Sequence, residues 1–441
     1  MKRIVQFLSK RAYIFRDFLL LSFLTGIITG TFVTIYIFLT RFFTNFLFNG
    51  DPVITINSLP LWYIYLVPIV SILIVNFLIS IDTTVKEYGV SKLAEIVEQR
   101  SEIITLKSLF LKIIASVLSI SSGFSVGNEG PSAEIGALVS TYIKKYLKIP
   151  EKFLRVIIGV GASSGIAAVF VSPITGIVFA IESIASEFFK NYIIFMIVGA
   201  FSAFTIAVEY FPAIGFLSPS GRFINFDYVW LTLIFIPVLT FFVYFYLFLQ
   251  DKVLYVFSLK LFEKFGKFRN LIFAIFGGVV IGTILIIDPR ACFTGHFVVQ
   301  ELLNDFSTMA LSSIGLLIVL RIIATSVSLY SNAVGGMFLP LMSIGALIGY
   351  GFGEIINHFH IIDIQAYYFA AIGAAVFMGV LMKLPFTAVV LALEITNDYN
   401  VVLSTGFSVA VIAYVTKLNF NVKKLNSIQI DFKEILNVKK D

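Results

Sequence analysis

The chain is laid out in long apolar blocks rather than in alternating or helically striped segments. Runs at 18–40, 59–79, 156–170, 193–208, 228–249, 271–287, 311–329 and 367–382 carry almost no charge. Crossing a ~30 Å hydrocarbon core takes about 20 helical residues, so these runs predict helix after helix passing through a bilayer. The expected fold class is an all-α polytopic membrane protein, organised as one membrane domain over 17–416 with a short leader at 1–16 and a short tail at 417–441.

Composition agrees with the pattern. Hydrophobic residues make up 59% of the 441 positions and charged ones only 13%, against about one quarter charged in soluble domains. The net charge of +6 could suggest a nucleic-acid partner, but no basic face interleaved with aromatics exists to hold one. The basic residues instead mark topology. Lys2, Arg3, Lys10, Arg11 and Arg16 precede the first run, and Lys417, Lys423, Lys424, Lys433, Lys439 and Lys440 follow the last. An excess of Lys and Arg on the inner side then places both termini in the cytoplasm and, for a cell-membrane protein, turns 44–63 and 209–228 outward and 144–155 inward. The first apolar run is too long for a removed signal peptide and no small-residue cleavage site follows it. A single cysteine, Cys292, leaves no multi-cysteine metal site. No cofactor or metal is expected.

Three features of the first half recur in the second at one spacing: Gly161 and Gly373, Pro173 and Pro385, Glu182 and Glu394 are each 212 residues apart. Upstream, Pro131 with Gly136 matches Pro340 with Gly345 at a spacing of 209. The chain therefore reads as two repeated halves, about 60–208 and 270–416. In membrane proteins of this kind, broken helices from the two repeats meet near the bilayer midplane and form the binding site there.

The breaks are visible. Gly127-Asn128-Glu129-Gly130-Pro131 and Gly335-Gly336-Met337-Phe338-Leu339-Pro340 each lead with glycine into an apolar stretch and place a proline where a first helical turn tolerates it. Helix starts leave backbone N–H groups free and carry partial positive charge. Two of them converging would hold an anion without a charged Lys or Arg in the membrane. Glu129, a carboxylate between glycines at such a start, can itself occupy an anion site, blocking it when ionised and clearing it when protonated or displaced. The plainer reading of Glu129 is an acid that stabilises the helix dipole.

These motifs are similar to those of the CLC family of chloride channels and proton/chloride exchangers, in the prokaryotic form without C-terminal regulatory domains. Gly127–Pro131 resembles the family's G-K/R-E-G-P motif, Gly336–Pro340 its G-x-F-x-P motif, and the blocks at Pro173 and Pro385 match as well, over about residues 20–416. The resemblance implies inverted halves, a homodimer with one pathway per subunit, and chloride or a similar small anion as substrate. It also implies that Glu129 is the gate, that Gly127, Asn128, Gly130, Pro131, Gly336, Met337 and Phe338 line the anion sites, and that the Tyr399 hydroxyl holds the central anion. The family's first anion motif falls on Glu87-Tyr88-Gly89-Val90-Ser91, putting Tyr88 in the place of a serine and Ser91 in that of a proline. Ser183 stands where many exchangers carry a proton-relay glutamate. Its neighbour Glu182 is a second candidate for the proton path, although the match of Glu182 to Glu394 points to a structural role in both repeats.

The expected function is transport, not catalysis. Ser183 tilts the reading toward passive or loosely coupled anion flux, with proton-coupled antiport as the alternative. A cation-coupled transporter of another substrate would need acids at the breaks, for which Glu134, Glu182 and Glu394 could be offered. An intramembrane enzyme finds little support: His296, His358 and His360 form no H-E-x-x-H pair.

Overall fold

The computed structural model describes residues 2–86, 93, 105–184, 192–210, 227–250, 269–303, 309–360 and 364–419. Among these residues the secondary structure is helical, with one isolated bridge between extended residues. The first half carries α1 (Lys2–Phe48), α2 (Leu61–Ile81), α3 (Leu106–Ser121), α4 (Glu129–Tyr146), α5 (Leu154–Phe170), α6 (Pro173–Ile184) and α7 (Ile193–Tyr210). The second carries α8 (Asp227–Phe248), α9 (Arg269–Ile287), α10 (His296–Leu303), α11 (Leu311–Tyr330), α12 (Phe338–His358), α13 (Ala366–Met382), α14 (Pro385–Thr396) and α15 (Tyr399–Asn419).

Eight helical stretches among the described residues are long and apolar enough to cross a membrane. They differ in where they sit. The apolar windows of α5 and α12 are 83% and 89% buried inside the protein, whereas those of α2, α7 and α15 are 33% buried. The first two form the centre and the others turn broad apolar faces outward, as lipid contact requires. Two crossing helices, α12 and α15, lie outside the runs expected from sequence. Their mean hydropathy is 1.5, against 2.5 for α2, because glycines in α12 and hydroxyl residues in α15 dilute the apolar signal.

Close packing at the centre rests on glycine. A Cβ on Gly136 would lie 1.9 Å from the Gly161 carbonyl oxygen, so α4 and α5 touch backbone to backbone. A Cβ on Gly345 would lie 2.1 Å from the Gly373 oxygen, which gives α12 and α13 the same contact. Without a hydrophobic drive between helices in lipid, such close approach of small residues supplies the packing attraction. These are the repeat-matched glycines of the sequence, each joined to a partner from its own half.

The halves exchange contacts reciprocally. Gly127 N–H donates to the Gly336 carbonyl and Gly336 N–H to that of Gly127, both at 2.7 Å. Ser125 N–H donates to Ser328 Oγ at 2.9 Å, while Val334 N–H donates to Ser119 Oγ at 3.0 Å. Each donor in one half and its counterpart in the other are 209 residues apart, and the exchange is what a two-fold axis between the halves demands. The acids Glu182 and Glu394 follow the same rule at the other spacing. Glu182 accepts from Phe386 N–H (3.0 Å), Thr387 N–H (2.8 Å) and Thr387 Oγ1 (2.7 Å) at the start of α14. Glu394 accepts from Ile174 N–H (3.0 Å), Thr175 N–H and Thr175 Oγ1 at the start of α6.

Candidate functional site

The site is built where α4 and α12 begin. Neither helix has a side-chain cap at its N-terminal flank, Asn128 or Met337, so the orphan amides of both first turns are available to something else. The Gly127–Gly336 bridge brings the two starts side by side. Gly130 and Pro131 are buried in the first turn of α4, and Phe338 and Leu339 in that of α12.

Glu129 fills the space between them. It is 2% exposed, and its Oε1 accepts from the N–H of Leu339 at 3.0 Å, an amide of the opposite half. Its Oε2 is buried with no hydrogen-bond partner among the described residues. Its oxygens lie over the glycine bridge: a Cβ on Gly127 would sit 2.1 Å from Oε2, and one on Gly336 2.6 Å from the carboxyl carbon. Any other residue at either glycine would push the carboxylate away. Here a negative group rests on converging helix N-termini, the arrangement in which partial positive charge and free N–H groups favour an anion.

Beside Glu129, Phe338 is fully buried and its ring packs at 4.5 Å from that of Phe170 and 6.2 Å from that of Phe179, centroid to centroid. Next to this plug lies a cavity of about 370 Å³ whose walls include Thr40 and Arg41 of α1, Asn128, Phe170, Leu339, and the loop and helix start from Pro289 to Val298. It reaches Asn128, which precedes Glu129, and Leu339, whose amide holds the carboxylate. The loop wall is organised by Arg321, a fully buried residue of α11, whose guanidinium donates to the carbonyls of Cys292 (2.5 Å), Arg290 (3.2 Å) and Phe293 (3.2 Å) and to Ser343 Oγ (2.6 Å).

Of the residues expected from sequence, Gly127, Asn128, Glu129, Gly130, Pro131, Gly336, Met337 and Phe338 come together. Tyr399 does not join them. It opens α15 with 79% of its surface exposed, so its hydroxyl is not enclosed around any buried anion; family resemblance located a tyrosine but not its direction. Tyr88 and Ser91 lie outside the described residues. Glu182 holds the start of α14, as its match to Glu394 implied, and Ser183 Oγ donates to the Phe179 carbonyl at 2.5 Å. Cys292 is buried. Sequence alone did not place Arg41, Arg290 or His296 at the cavity, nor single out the buried cations Lys112 and Arg321. The last two were findable, because an ionisable residue inside an apolar run is itself a signal.

Comparison with known proteins gives this geometry a context. The sequence profile described as voltage gated chloride channel matches residues 66–417. The H(+)/Cl(-) exchange transporter ClcA of Vibrio parahaemolyticus serotype O3:K6 (strain RIMD 2210633) is 25% identical over 300 residues, covering 66% of this chain and 63% of that protein. ClcA of Klebsiella pneumoniae (strain 342) is 25% identical over 334 residues, covering 71% and 67%. The aligned region thus spans somewhat under two thirds of the Vibrio relative. Among solved structures, a slow cyanobacterial Cl-/H+ antiporter superposes with a TM-score of 0.82 at 18% identity, covering 94% of this chain and 98% of that one. A CLC-type fluoride/proton antiporter gives 0.71 at 19%, covering 92% and 96%. With its profile matched over most of its length and its fold shared with these transporters, the chain belongs to the voltage gated chloride channel (CLC) family.

Proposed function

We propose that this protein exchanges a small anion, chloride or one of similar size, for protons across a membrane, with Glu129 as both gate and proton carrier. One observation carries the reading: the Glu129 carboxylate, at the start of α4, accepts from the Leu339 amide at the start of α12, with the two helix starts joined at the Gly127–Gly336 bridge, where a permeating anion would be held. Protonation removes the charge that favours this seat, frees the amides for the anion, and couples proton uptake to anion movement. Relatives described as H(+)/Cl(-) exchange transporters support coupling over the passive flux suggested by Ser183. Passive flux is the second reading, favoured by Ser183 itself, since a hydroxyl cannot store a proton as a carboxylate does. A homodimer with both termini in the cytoplasm completes the proposal, and cross-linking in native membranes that captured monomers alone would refute the dimer.

The deciding experiment imposes a chloride gradient on proteoliposomes at equal pH. Exchange predicts protons moving opposite to chloride at a fixed ratio, and loss of that movement in Glu129→Gln while anion flux persists. Chloride flux with no proton movement in the wild type would establish passive transport instead.

A further inference from the structure

The two-fold relation exposes an asymmetry that bears on the gate. Lys112 of α3 and Arg321 of α11 are 209 residues apart and so occupy equivalent posts, each a buried cation reaching the helix that opens the site in its own half. Their acceptors there, Glu134 of α4 and Ser343 of α12, are also 209 apart. The Lys112 ammonium lies 2.5 Å from Glu134 Oε1, with both side chains about 5% exposed or less. Arg321 Nε donates to Ser343 Oγ at 2.6 Å, and its three carbonyl partners are neutral as well. One cation meets a carboxylate and the other a hydroxyl.

Glu134 follows Glu129 by five residues on the same helix, a rise of about 7.5 Å. With five residues also turning the helix by about 140°, a separation on the order of 10 Å between the Lys112–Glu134 pair and the amide that holds the Glu129 carboxylate sets the scale of their interaction. At that range one unpaired charge, at an effective permittivity of about 20, changes the binding of an anion about tenfold.

We propose that Glu134 sets the electrostatic bias of the gate by cancelling Lys112, so that the converging amides hold their anion without help from a nearby full positive charge. The inference rests on the reading of those amides as an anion site and of Glu129 as its gate. The other charged or titratable groups around the gate, among the described residues, include Tyr36 of α1 and, lining the cavity, Arg41, Asp51, Arg290, Cys292 and His296. Glu134 differs from all of them in sharing α4 with the gate. Burial of an ion pair in a membrane protein carries a desolvation cost that packing alone does not require, whereas the Arg321–Ser343 post holds a buried cation with no acid against it among the described residues.

Sign is what separates this role from a structural one. With Glu129→Gln as background, where no carboxylate competes, chloride affinity by calorimetry should tighten about tenfold in Glu134→Gln and weaken about tenfold in Lys112→Met, and the double substitution should return it to the starting value. With Glu129 intact, the pH midpoint of anion flux in liposomes should move about one unit down in Glu134→Gln and about one unit up in Lys112→Met, because a positive neighbour favours the ionised gate. If Glu134→Gln does not fold, Glu134→Ser copies the cation–serine pairing of the other half and must give the same signs. Single variants that shift in the same direction, or that change stability with affinity held within twofold, would overturn the proposal. Should Glu129 not be the gate, Glu129→Gln would retain the wild-type pH profile, and the affinity arm would still read the charge effect by itself.

Discussion

A carboxylate over a glycine bridge can be removed in two physically different ways, and on the proposed reading both should open the site. Glu129→Gln removes the charge and should abolish the pH dependence of anion flux in liposomes; a pH profile that matches wild type would exclude Glu129 as the gate. Gly127→Ala keeps the charge but puts a methyl 2.1 Å from where Oε2 now sits. Because the obstructed atom is the free end of a flexible side chain, the protein should fold, the carboxylate should be displaced, and flux should become less dependent on pH, as in Glu129→Gln. Tyr399→Phe should leave chloride affinity within twofold by calorimetry, since that side chain is 79% exposed; a tenfold loss would restore Tyr399 to the site. These residues also show where sequence is legible. Glycine and proline report local backbone demands, so Gly127–Pro131 and Gly336–Pro340 announced helix starts directly. Nothing local tells which way a tyrosine 270 residues beyond Glu129 will face.

Repeat spacing made the elements legible in pairs. The matched glycines and acids identified α4–α5 against α12–α13 and α6 against α14, and the structure gives each pair the same task. What spacing could not reveal is that the acids work across the halves: Glu182 of the first holds the start of α14 in the second, and Glu394 returns the bond to α6. Charged hydrogen bonds of this kind contribute about 1.5–3 kcal/mol each. Glu182→Gln and Glu394→Gln should therefore each lower the thermal unfolding midpoint in detergent, by similar amounts, with the double variant the least stable. A Glu182→Gln protein as stable as wild type, yet with proton movement abolished, would give Glu182 a place on the proton path instead. The equivalence extends to glycine: a Cβ on Gly161 meets the Gly136 oxygen at 2.1 Å and one on Gly373 meets that of Gly345 at 2.2 Å. Both contacts are to backbone, which cannot swing aside as the Glu129 carboxylate can. Helix α15, and α12 beyond the start that Gly336–Pro340 marked, are absent from the apolar runs for the converse reason: the small and polar residues that let them pack also lower the hydropathy by which a span is recognised.

Over the whole molecule, near-symmetry frames an asymmetric charge at the gate. The residue related to Glu129 by the spacing of 209 is Phe338, so one half opens its central helix with a carboxylate and the other with an aromatic ring buried against Phe170 and Phe179. An amide of the second half, that of Leu339, thus holds the carboxylate supplied by the first. If that carboxylate is a tethered competitor, its effective concentration at the amides is of millimolar order or above, and free chloride must displace it to bind. Stability then reports occupancy, because a ligand that binds only the folded protein stabilises it by RT ln(1 + [L]/Kd), about 2.7 kcal/mol at one hundred times Kd. Raising chloride at constant ionic strength should increase the thermal midpoint of Glu129→Ala more than that of wild type, while the chloride-free midpoint of Glu129→Ala should fall below it, since its amides then have neither anion. Acidification should move the wild type toward the variant by protonating the competitor. Equal chloride-dependent stabilisation of both proteins at neutral pH would show that the carboxylate and the anion occupy different places, and the gate would have to be sought elsewhere on the path.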